Sequence, residues 1–483
     1  MGERRLTFRG GRAMALVPFA IFIIITIGLS FANFQDINAM VAAGVIALLI
    51  GMLFSKDLDR YWDVILKGLG SKVAMTAVML WLVVGMYGAI LKSGHIVEGL
   101  VWVSVKLGVS GAVFTVCAFV FSALFAVATG SGFGTISTMC FILYPAGILL
   151  GCNPAVLAGA ILSGAAFGDN FAPVSDTTII AATSQEYKYT NGAASIGGTV
   201  KCRYKYVFIA AIIAAVLFFV FGGSGNTLDP AEAENLLKQY QMPQGLLLLI
   251  PTLVVIILAV KGVNIFASLG TGSILAIVIG LGAKLFKPSD LICIKDGAIS
   301  GTITGGVSGM FNVSILLMLV VSMGELLIAS GCMEAVVDWL NNSVIKTERG
   351  AEISMFCLST VFGILIAAIN TIANICVAPF INAIGKKNDI HPYRRANILA
   401  TTICSFPFFL PFGGCVLLLL GGISSQTDAY AFLPKLGAGD MIATTFYSWA
   451  IWAVMLVSCI TGKGRAFEGR NGEYIEAKKN PNK

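Results

Sequence analysis

Long apolar runs dominate this sequence and restrict its fold more than any other feature. They lie near 14–33, 37–54, 73–91, 111–129, 133–150, 154–183, 205–223, 245–260, 265–283, 311–329, 351–369, 371–385, 396–422 and 440–461. Most approach the roughly 20 residues that a helix needs to cross a bilayer. Charged residues make up 12% of the chain, half the usual share of a soluble protein. We therefore predict an all-α polytopic membrane protein, whose helices satisfy their own backbone hydrogen bonds in lipid.

A polar, acidic segment divides the apolar runs into two sets. This segment, 224–244, is predicted to be an external linker. The first transmembrane repeat is then 1–223 and the second is 245–462, and a basic tail, 463–483, follows.

The two sets share short sequence patches at nearly constant spacing. The matching positions are Gly94 with Gly331, Trp102 with Trp339, Pro154 with Pro392 and Pro173 with Pro411. Lys and Arg clusters place both termini and the loops 184–206 and 385–395 in the cytoplasm. Each set then crosses the membrane an odd number of times, which turns the second set upside down. We predict two inverted-topology repeats, and no arginine inside the central spans.

The strongest candidate site is a polar cluster that interrupts an apolar segment. It contains Asp169, Asn170, Ser175, Asp176, Thr177 and Thr178. Pro173 lacks an N–H and disfavours helix at Ala172, so we expect a broken transmembrane helix with free carbonyl groups there. A carboxylate inside a span costs roughly 2.5–3.5 kcal/mol on insertion scales, which makes it a functional candidate.

Oxygen donors at a broken helix suit a hard monovalent cation such as Na⁺. Asp169 and Asp176 are predicted to hold Na⁺ and H⁺ alternately, and the neighbouring amide and hydroxyl groups complete the oxygen shell. Seven residues apart, the two acids would share one face of an unbroken helix. Competition of Na⁺ and protons for one site is the minimum requirement for exchange.

Two further interruptions are secondary candidates for substrate or ion contacts. The residues 111–150 form either two full spans or a re-entrant hairpin with its tip at 130–134, and 351–385 breaks at 370–374. The polar candidates there are Ser131, Thr135, Asn370, Thr371 and Asn374, and Glu325 in the run 311–329 is a candidate proton carrier.

Other classes of protein fit the sequence less well. The basic residues lie at span ends and form no concentrated face, so nucleic acid is not an expected partner. An intramembrane hydrolase using Ser131 would need a nearby base, and both histidines lie in predicted loops. We predict a transporter, not an enzyme, with no cofactor and with the lipid bilayer as its surroundings. A homodimer is left open.

The motif from Gly168 to Thr178 resembles that of the NhaC family of Na⁺/H⁺ antiporters. The family pattern is Gly-Asp, a short spacer and Ser-Pro-Leu-Ser-Asp-Thr-Thr, and here Ala172 and Val174 replace the first Ser and the Leu. The resemblance implies a fold of the ion-transporter superfamily, with paired hairpins and broken helices. It also implies cation/proton antiport across a prokaryotic cytoplasmic membrane.

The predicted function is therefore secondary active Na⁺/H⁺ antiport by alternating access. An alternative on the same fold is Na⁺- or H⁺-coupled transport of an organic acid, as in malate/lactate exchange, or of an amino acid. The expected absence of an intramembrane arginine, which could clamp a carboxylate, favours inorganic cation exchange.

Overall fold

The architecture is a bundle of helices, two of which are broken into shorter pieces. The computed structural model describes residues 5–31, 37–106, 109–173, 175–223, 242–261, 263–295, 297–332, 347–427 and 430–477. The predicted linker 224–244 lies outside the described residues up to position 241.

The helices before the linker include one very long member and one broken pair. They are α1 (Val17–Phe31), α2 (Ile37–Met52), α3 (Leu58–Leu69), α4 (Lys72–Ser93), α5 (Ile96–Lys106), α6 (Gly111–Thr129), α7 (Gly132–Leu149), α8 (Pro154–Phe171), α9 (Asp176–Thr183) and α10 (Ile196–Phe221).

The helices after the linker include a second broken pair. They are α11 (Leu249–Val260), α12 (Ile265–Gly282), α13 (Pro288–Leu291), α14 (Thr302–Ser308), α15 (Phe311–Ala329), α16 (Glu348–Leu365), α17 (Asn370–Lys387), α18 (Pro392–Ile403), α19 (Gly414–Ser424), α20 (Asp440–Thr444) and α21 (Phe446–Thr461). Short 3₁₀ turns lie at Arg12–Leu16, Pro243–Leu248 and Phe406–Phe408.

The described strands form two small antiparallel hairpins. They are β1 (Cys293–Lys295) with β2 (Ala298–Ser300), and β3 (Ala466–Glu468) with β4 (Tyr474–Glu476).

Several helices have the length and apolar character of membrane spans. Within the described residues, four candidates qualify, namely Gly132–Leu149, Pro154–Thr183, Ile196–Phe221 and Thr302–Ala329, and a pair bent by 44° near residue 77 makes a fifth. The long helix α10 exposes large apolar side chains such as Ile212, which is 64% exposed. An apolar face of that kind suits lipid. The predicted all-α polytopic class is confirmed.

Small residues let α6 and α8 pack closely. A Cβ atom added to Gly168 would lie 2.0 Å from the Cβ of Ala126, and one added to Gly164 would lie 2.5 Å from the Cβ of Ser122. Glycines allow this approach of two backbones in a membrane bundle. The contact fixes the height at which α8 ends relative to α6.

The matched prolines occupy equivalent places in the two halves. Pro154 and Pro392 are the first residues of α8 and α18, where the missing N–H costs nothing. Pro173 and Pro411 lie in the interruptions between α8 and α9 and between α18 and α19. The order of elements therefore agrees with a duplicated sequence, and the inverted relation of the halves stays a prediction.

The start of the basic tail folds back onto the bundle as an ordered hairpin. We call β3–β4, residues 466–476, the clasp. The N–H of His391 donates to the carbonyl of Ala466 at 2.9 Å, and the N–H of Glu468 donates to that of Asp389 at 2.8 Å. The Glu468 carboxylate accepts the N–H of Lys188 at 2.8 Å. The clasp thus joins the segment after α9 to the turn between α17 and α18.

Candidate ion-binding site

The predicted helix break lies where the proline placed it. Helix α8 ends at Phe171, and Ala172 is extended, with φ −68° and ψ 125°. Pro173 cannot donate a backbone hydrogen bond, so the chain resumes as helix only at Asp176. Val174 lies outside the described residues. The break exposes the last carbonyl groups of α8 to side chains from other elements.

Asp169 is the buried carboxylate at this break, with 7% of its surface exposed. Its Oδ1 accepts a hydrogen bond from the N–H of Gly132 at 3.0 Å. Its Oδ2 accepts one from Nδ2 of Asn370 at 3.1 Å. Three elements distant in sequence, the end of α8, the start of α7 and the start of α17, therefore meet at one side chain.

The turn between α6 and α7 brings a backbone N–H to the carboxylate. Gly130 adopts φ 66°, a left-handed conformation that glycine enters readily. Ser131 then caps α7, with its Oγ accepting the N–H of Gly134 at 3.0 Å. The tip of this helical hairpin lies against the break in α8, which is where a re-entrant hairpin would end.

Gly132 allows the close approach of this tip to Asp169. A Cβ atom at Gly132 would lie 2.7 Å from Oδ2 of Asp169 and 3.0 Å from Cζ of Phe408.

We expect Gly132→Ala to displace the carboxylate and to lower Na⁺-driven proton exchange by about tenfold or more, since small misplacements of a reacting group are costly. Transport by reconstituted protein checks this. Gly197→Ala is the control, because no atom lies within 4 Å of its added Cβ, and an equal loss there would contradict the prediction.

Two buried asparagines near Asp169 leave their side-chain oxygens without a donor. Nδ2 of Asn170 donates to the carbonyl of Ala166 at 3.0 Å, and Nδ2 of Asn374 donates to that of Asn370 at 2.9 Å. Among the described residues, Oδ1 of each is buried with no hydrogen-bond partner. An acceptor oxygen without a donor is costly in a dry interior unless a cation or water meets it.

The predicted hydroxyl groups lie at the same residue, and two of them bond to its backbone carbonyl. Thr177 and Thr178 each donate to the carbonyl of Asp169 at 3.2 Å. Ser175 shares a hydrogen bond of 2.9 Å with Thr177. They therefore satisfy the broken end of α8 in this conformation.

The remaining secondary candidates differ in burial. Thr135 donates to the carbonyl of Ser131 at 2.8 Å and so stabilises the tip. Thr371 is half-buried in the first turn of α17. Glu325 is half-buried near the end of α15.

Asp176 differs from the prediction of a buried acid pair. It is exposed at the first position of α9. The carboxylate still lies near enough to Asp169 to interact with it electrostatically. The shared face that residues seven apart have on a continuous helix is lost, because the helix breaks between them. Only Asp169 is enclosed.

Arg203 is a buried charge that the sequence analysis missed. It is fully buried on α10. Its Nη1 donates to the carbonyl of Asn170 at 2.7 Å and to Oγ1 of Thr178 at 3.1 Å, and its Nε donates to Oδ1 of Asn397 at 2.9 Å. The expectation that no arginine lies inside the bundle was wrong. Helix α10 begins at Ile196, so the predicted loop 184–206 is partly helical.

The described residues contain no group of three His, Cys, Asp or Glu side chains suited to a metal ion. The donors around Asp169 are one carboxylate, amide oxygens, hydroxyls and backbone carbonyls. Few charges and many neutral oxygens suit a monovalent cation better than a divalent one.

A helical membrane protein with a buried carboxylate at a broken span is the architecture of an ion-coupled transporter. The sequence profile of the Na⁺/H⁺ antiporter family matches residues 8–223. The similarity to this family predicted from the motif is thereby confirmed, over a region that includes the whole α8–α9 break.

Individual relatives show the same similarity. The malate-2H⁺/Na⁺-lactate antiporter of Bacillus subtilis is 26% identical over 67% of this chain and 72% of its own. The Na⁺/H⁺ antiporter NhaC of Alkalihalophilus pseudofirmus is 26% identical over 45% of this chain and 46% of its own. Among solved structures, the YdaH transporter of Alcanivorax borkumensis matches with a TM-score of 0.37 and 13% identity, over 85% of this chain and 89% of that one.

Proposed function

We propose that this chain is a secondary active transporter that exchanges Na⁺ for protons by alternating access. The observation that carries the proposal is the buried carboxylate of Asp169, held at a helix break by Gly132 and Asn370. When ionised, it offers Na⁺ a full charge and oxygen ligands. When protonated, it is neutral, and the site no longer attracts the cation.

Neutral oxygens near the carboxylate support a cation as one occupant. The unpartnered Oδ1 atoms of Asn170 and Asn374 can accept an ion without breaking any hydrogen bond of the described residues. Ser175, Thr177 and Thr178 can turn their hydroxyl oxygens toward the ion. We assign Asp176 to the same pathway as an exposed acid that attracts cations toward Asp169.

The orientation of the protein in the membrane is inferred from the positions of its Lys and Arg residues. We place the protein in a prokaryotic cytoplasmic membrane, as the family resemblance implies. Both termini then lie in the cytoplasm, because Lys and Arg clusters favour that side. The clasp and the turn between α17 and α18 then lie at the cytoplasmic end, and the linker 224–244 is external.

The test is transport by the purified full-length chain in proteoliposomes. An imposed Na⁺ gradient should move protons in the opposite direction, and a pH-sensitive dye inside the vesicles reports it. A K⁺ gradient of equal size is the control. Absence of any Na⁺-dependent pH change would overturn the proposal.

A shared site also predicts a pH-dependent effect of Na⁺ on stability. Na⁺ binds the folded protein when Asp169 is ionised, so it should raise the melting temperature more at alkaline pH than at acidic pH. Thermal unfolding in detergent with NaCl or choline chloride measures this. A stabilisation of equal size at every pH would show that Na⁺ and protons bind independently.

Some relatives have names that include organic substrates. Besides the Bacillus subtilis protein, the arginine/ornithine antiporter ArcD of Halobacterium salinarum is 26% identical over 63% of this chain. Transport of an organic substrate stays a second candidate, and Arg203 is the observation that favours it.

A further inference from the structure

Arg203 differs from the other buried arginines in having no carboxylate partner. Its hydrogen bonds go to two neutral side chains and one backbone carbonyl. The other buried arginines of the described chain lie within 4.0 Å of a carboxylate: Arg394 and Arg465 pair with Glu352, and Arg395 with Glu468.

A buried guanidinium without a counter-ion is costly. Removing a charge from water costs several kcal/mol per ion, and an opposite charge is the usual compensation. Arg203 also keeps one nitrogen, Nη2, buried and without an acceptor among the described residues. The guanidinium is therefore short of one negative charge and one hydrogen-bond acceptor.

A second unused donor lies close to the first. The hydroxyl of Tyr447, on α21, is buried without a hydrogen-bond partner in the described structure. Tyr447 lies near enough to Arg203 to interact with it electrostatically, and the side chain of Asn170 lies beside its hydroxyl. Two donors from different helices thus lie together, and the polar group beside the Tyr447 hydroxyl, the side chain of Asn170, is neutral and supplies no negative charge.

We propose that Arg203 and Tyr447 bind the carboxylate group of a small organic substrate. The proposal rests on the proposed transport function and extends it to an organic anion. A carboxylate supplies both the missing charge and two acceptor oxygens, which Nη2 of Arg203 and the Tyr447 hydroxyl can share.

The position of this site would couple the anion to the ion. Arg203 binds the carbonyl of Asn170, which directly follows Asp169 in the chain. A bound carboxylate would therefore lie at the broken end of α8, the segment that carries Asp169. Its negative charge would favour the cation-bound form of the neighbouring site, so that the two would move together.

Binding of radiolabelled L-lactate, L-malate and L-arginine to purified full-length protein tests the proposal. We expect saturable binding of at least one of them. Arg203→Gln and Tyr447→Phe should each weaken it by about 10- to 100-fold, the loss expected for one charge-assisted hydrogen bond. Tyr447→Phe removes a hydroxyl with no partner in the described structure, so it should fold even if Arg203→Gln does not.

Lys205→Gln is the matched control, since Lys205 lies on the same helix and pairs with Glu476 at the surface. It removes the same charge and should bind the ligand as the wild-type protein does. Absence of saturable binding of all three ligands, or wild-type affinity in Tyr447→Phe, would overturn the inference. Na⁺-driven pH change without organic anion, measured in parallel, tests the antiport separately.

Discussion

Asp169→Asn should abolish Na⁺-driven proton exchange while leaving the protein in the membrane. Asparagine keeps the shape of the side chain but holds neither a proton nor a full charge. Removing one partner of a buried charge pair costs about 3–5 kcal/mol, which is on the order of 10²- to 10⁴-fold in ion affinity. Dye-monitored exchange in proteoliposomes measures the loss.

Two other aspartates separate this effect from a general loss of negative charge. Asp176→Asn should lower exchange less than Asp169→Asn does, because Asp176 is exposed and contributes through space. Asp59→Asn, at an exposed position of α3, should leave exchange unchanged. Wild-type exchange by Asp169→Asn would remove the site assignment.

Glu352→Gln should destabilise the folded protein by about 3–5 kcal/mol, because it leaves two buried arginines without their counter-ion. Glu352 is fully buried on α16. Its Oε1 accepts Nε of Arg394 at 2.8 Å, and its Oε2 accepts Nη2 of Arg465 at 3.0 Å. The substitution therefore also loosens the tail, and thermal unfolding in detergent measures the change.

Glu186→Gln provides the exposed counterpart. Glu186 accepts Nζ of Lys386 at 2.7 Å, and this ammonium group holds the pKa of the carboxyl below its usual range. Water screens the pair, so we expect no measurable change in melting temperature. If the melting temperature of Glu352→Gln were no lower than that of Glu186→Gln, the buried ion pairs of Glu352 would not stabilise the fold.

The helix break and its acidic residue were predictable because local chemistry decides them. Pro173 disfavours helix at Ala172 through its own ring and missing N–H, and polar side chains within an apolar run mark Asp169 as functional. The glycine tip near Gly132 and the start of α17 at Asn370 were also identified. Their meeting at one carboxylate was not, since it depends on how distant segments pack.

The predicted buried acid pair does not form, because Asp169 and Asp176 lie on opposite sides of the break. Residues seven apart share a face only if the helix between them is continuous. The break that Pro173 predicts is therefore inconsistent with a shared helical face for the two acids. In the structure, Asp176 begins a new helix with its own orientation.

The rule that places basic clusters in cytoplasmic loops does not predict the burial of Arg203. Lys201 and Lys205 fit that rule for charge, and Arg203 lies between them in sequence. The available signal was helical spacing. Val207 and Ala210, four and seven positions later, are buried on the same face of α10. The helical spacing of buried apolar residues therefore predicts the burial of Arg203 better than the charged residues next to it in sequence do.

Proton release on Na⁺ binding tests the shared site most directly. Purified protein in weakly buffered detergent, at a pH where Asp169 is partly protonated, is mixed with NaCl while a dye reports free protons. The wild-type protein should release protons in a saturable manner, and Asp169→Asn should release none. Na⁺ binding without proton release, or equal release from Asp169→Asn, would contradict the account.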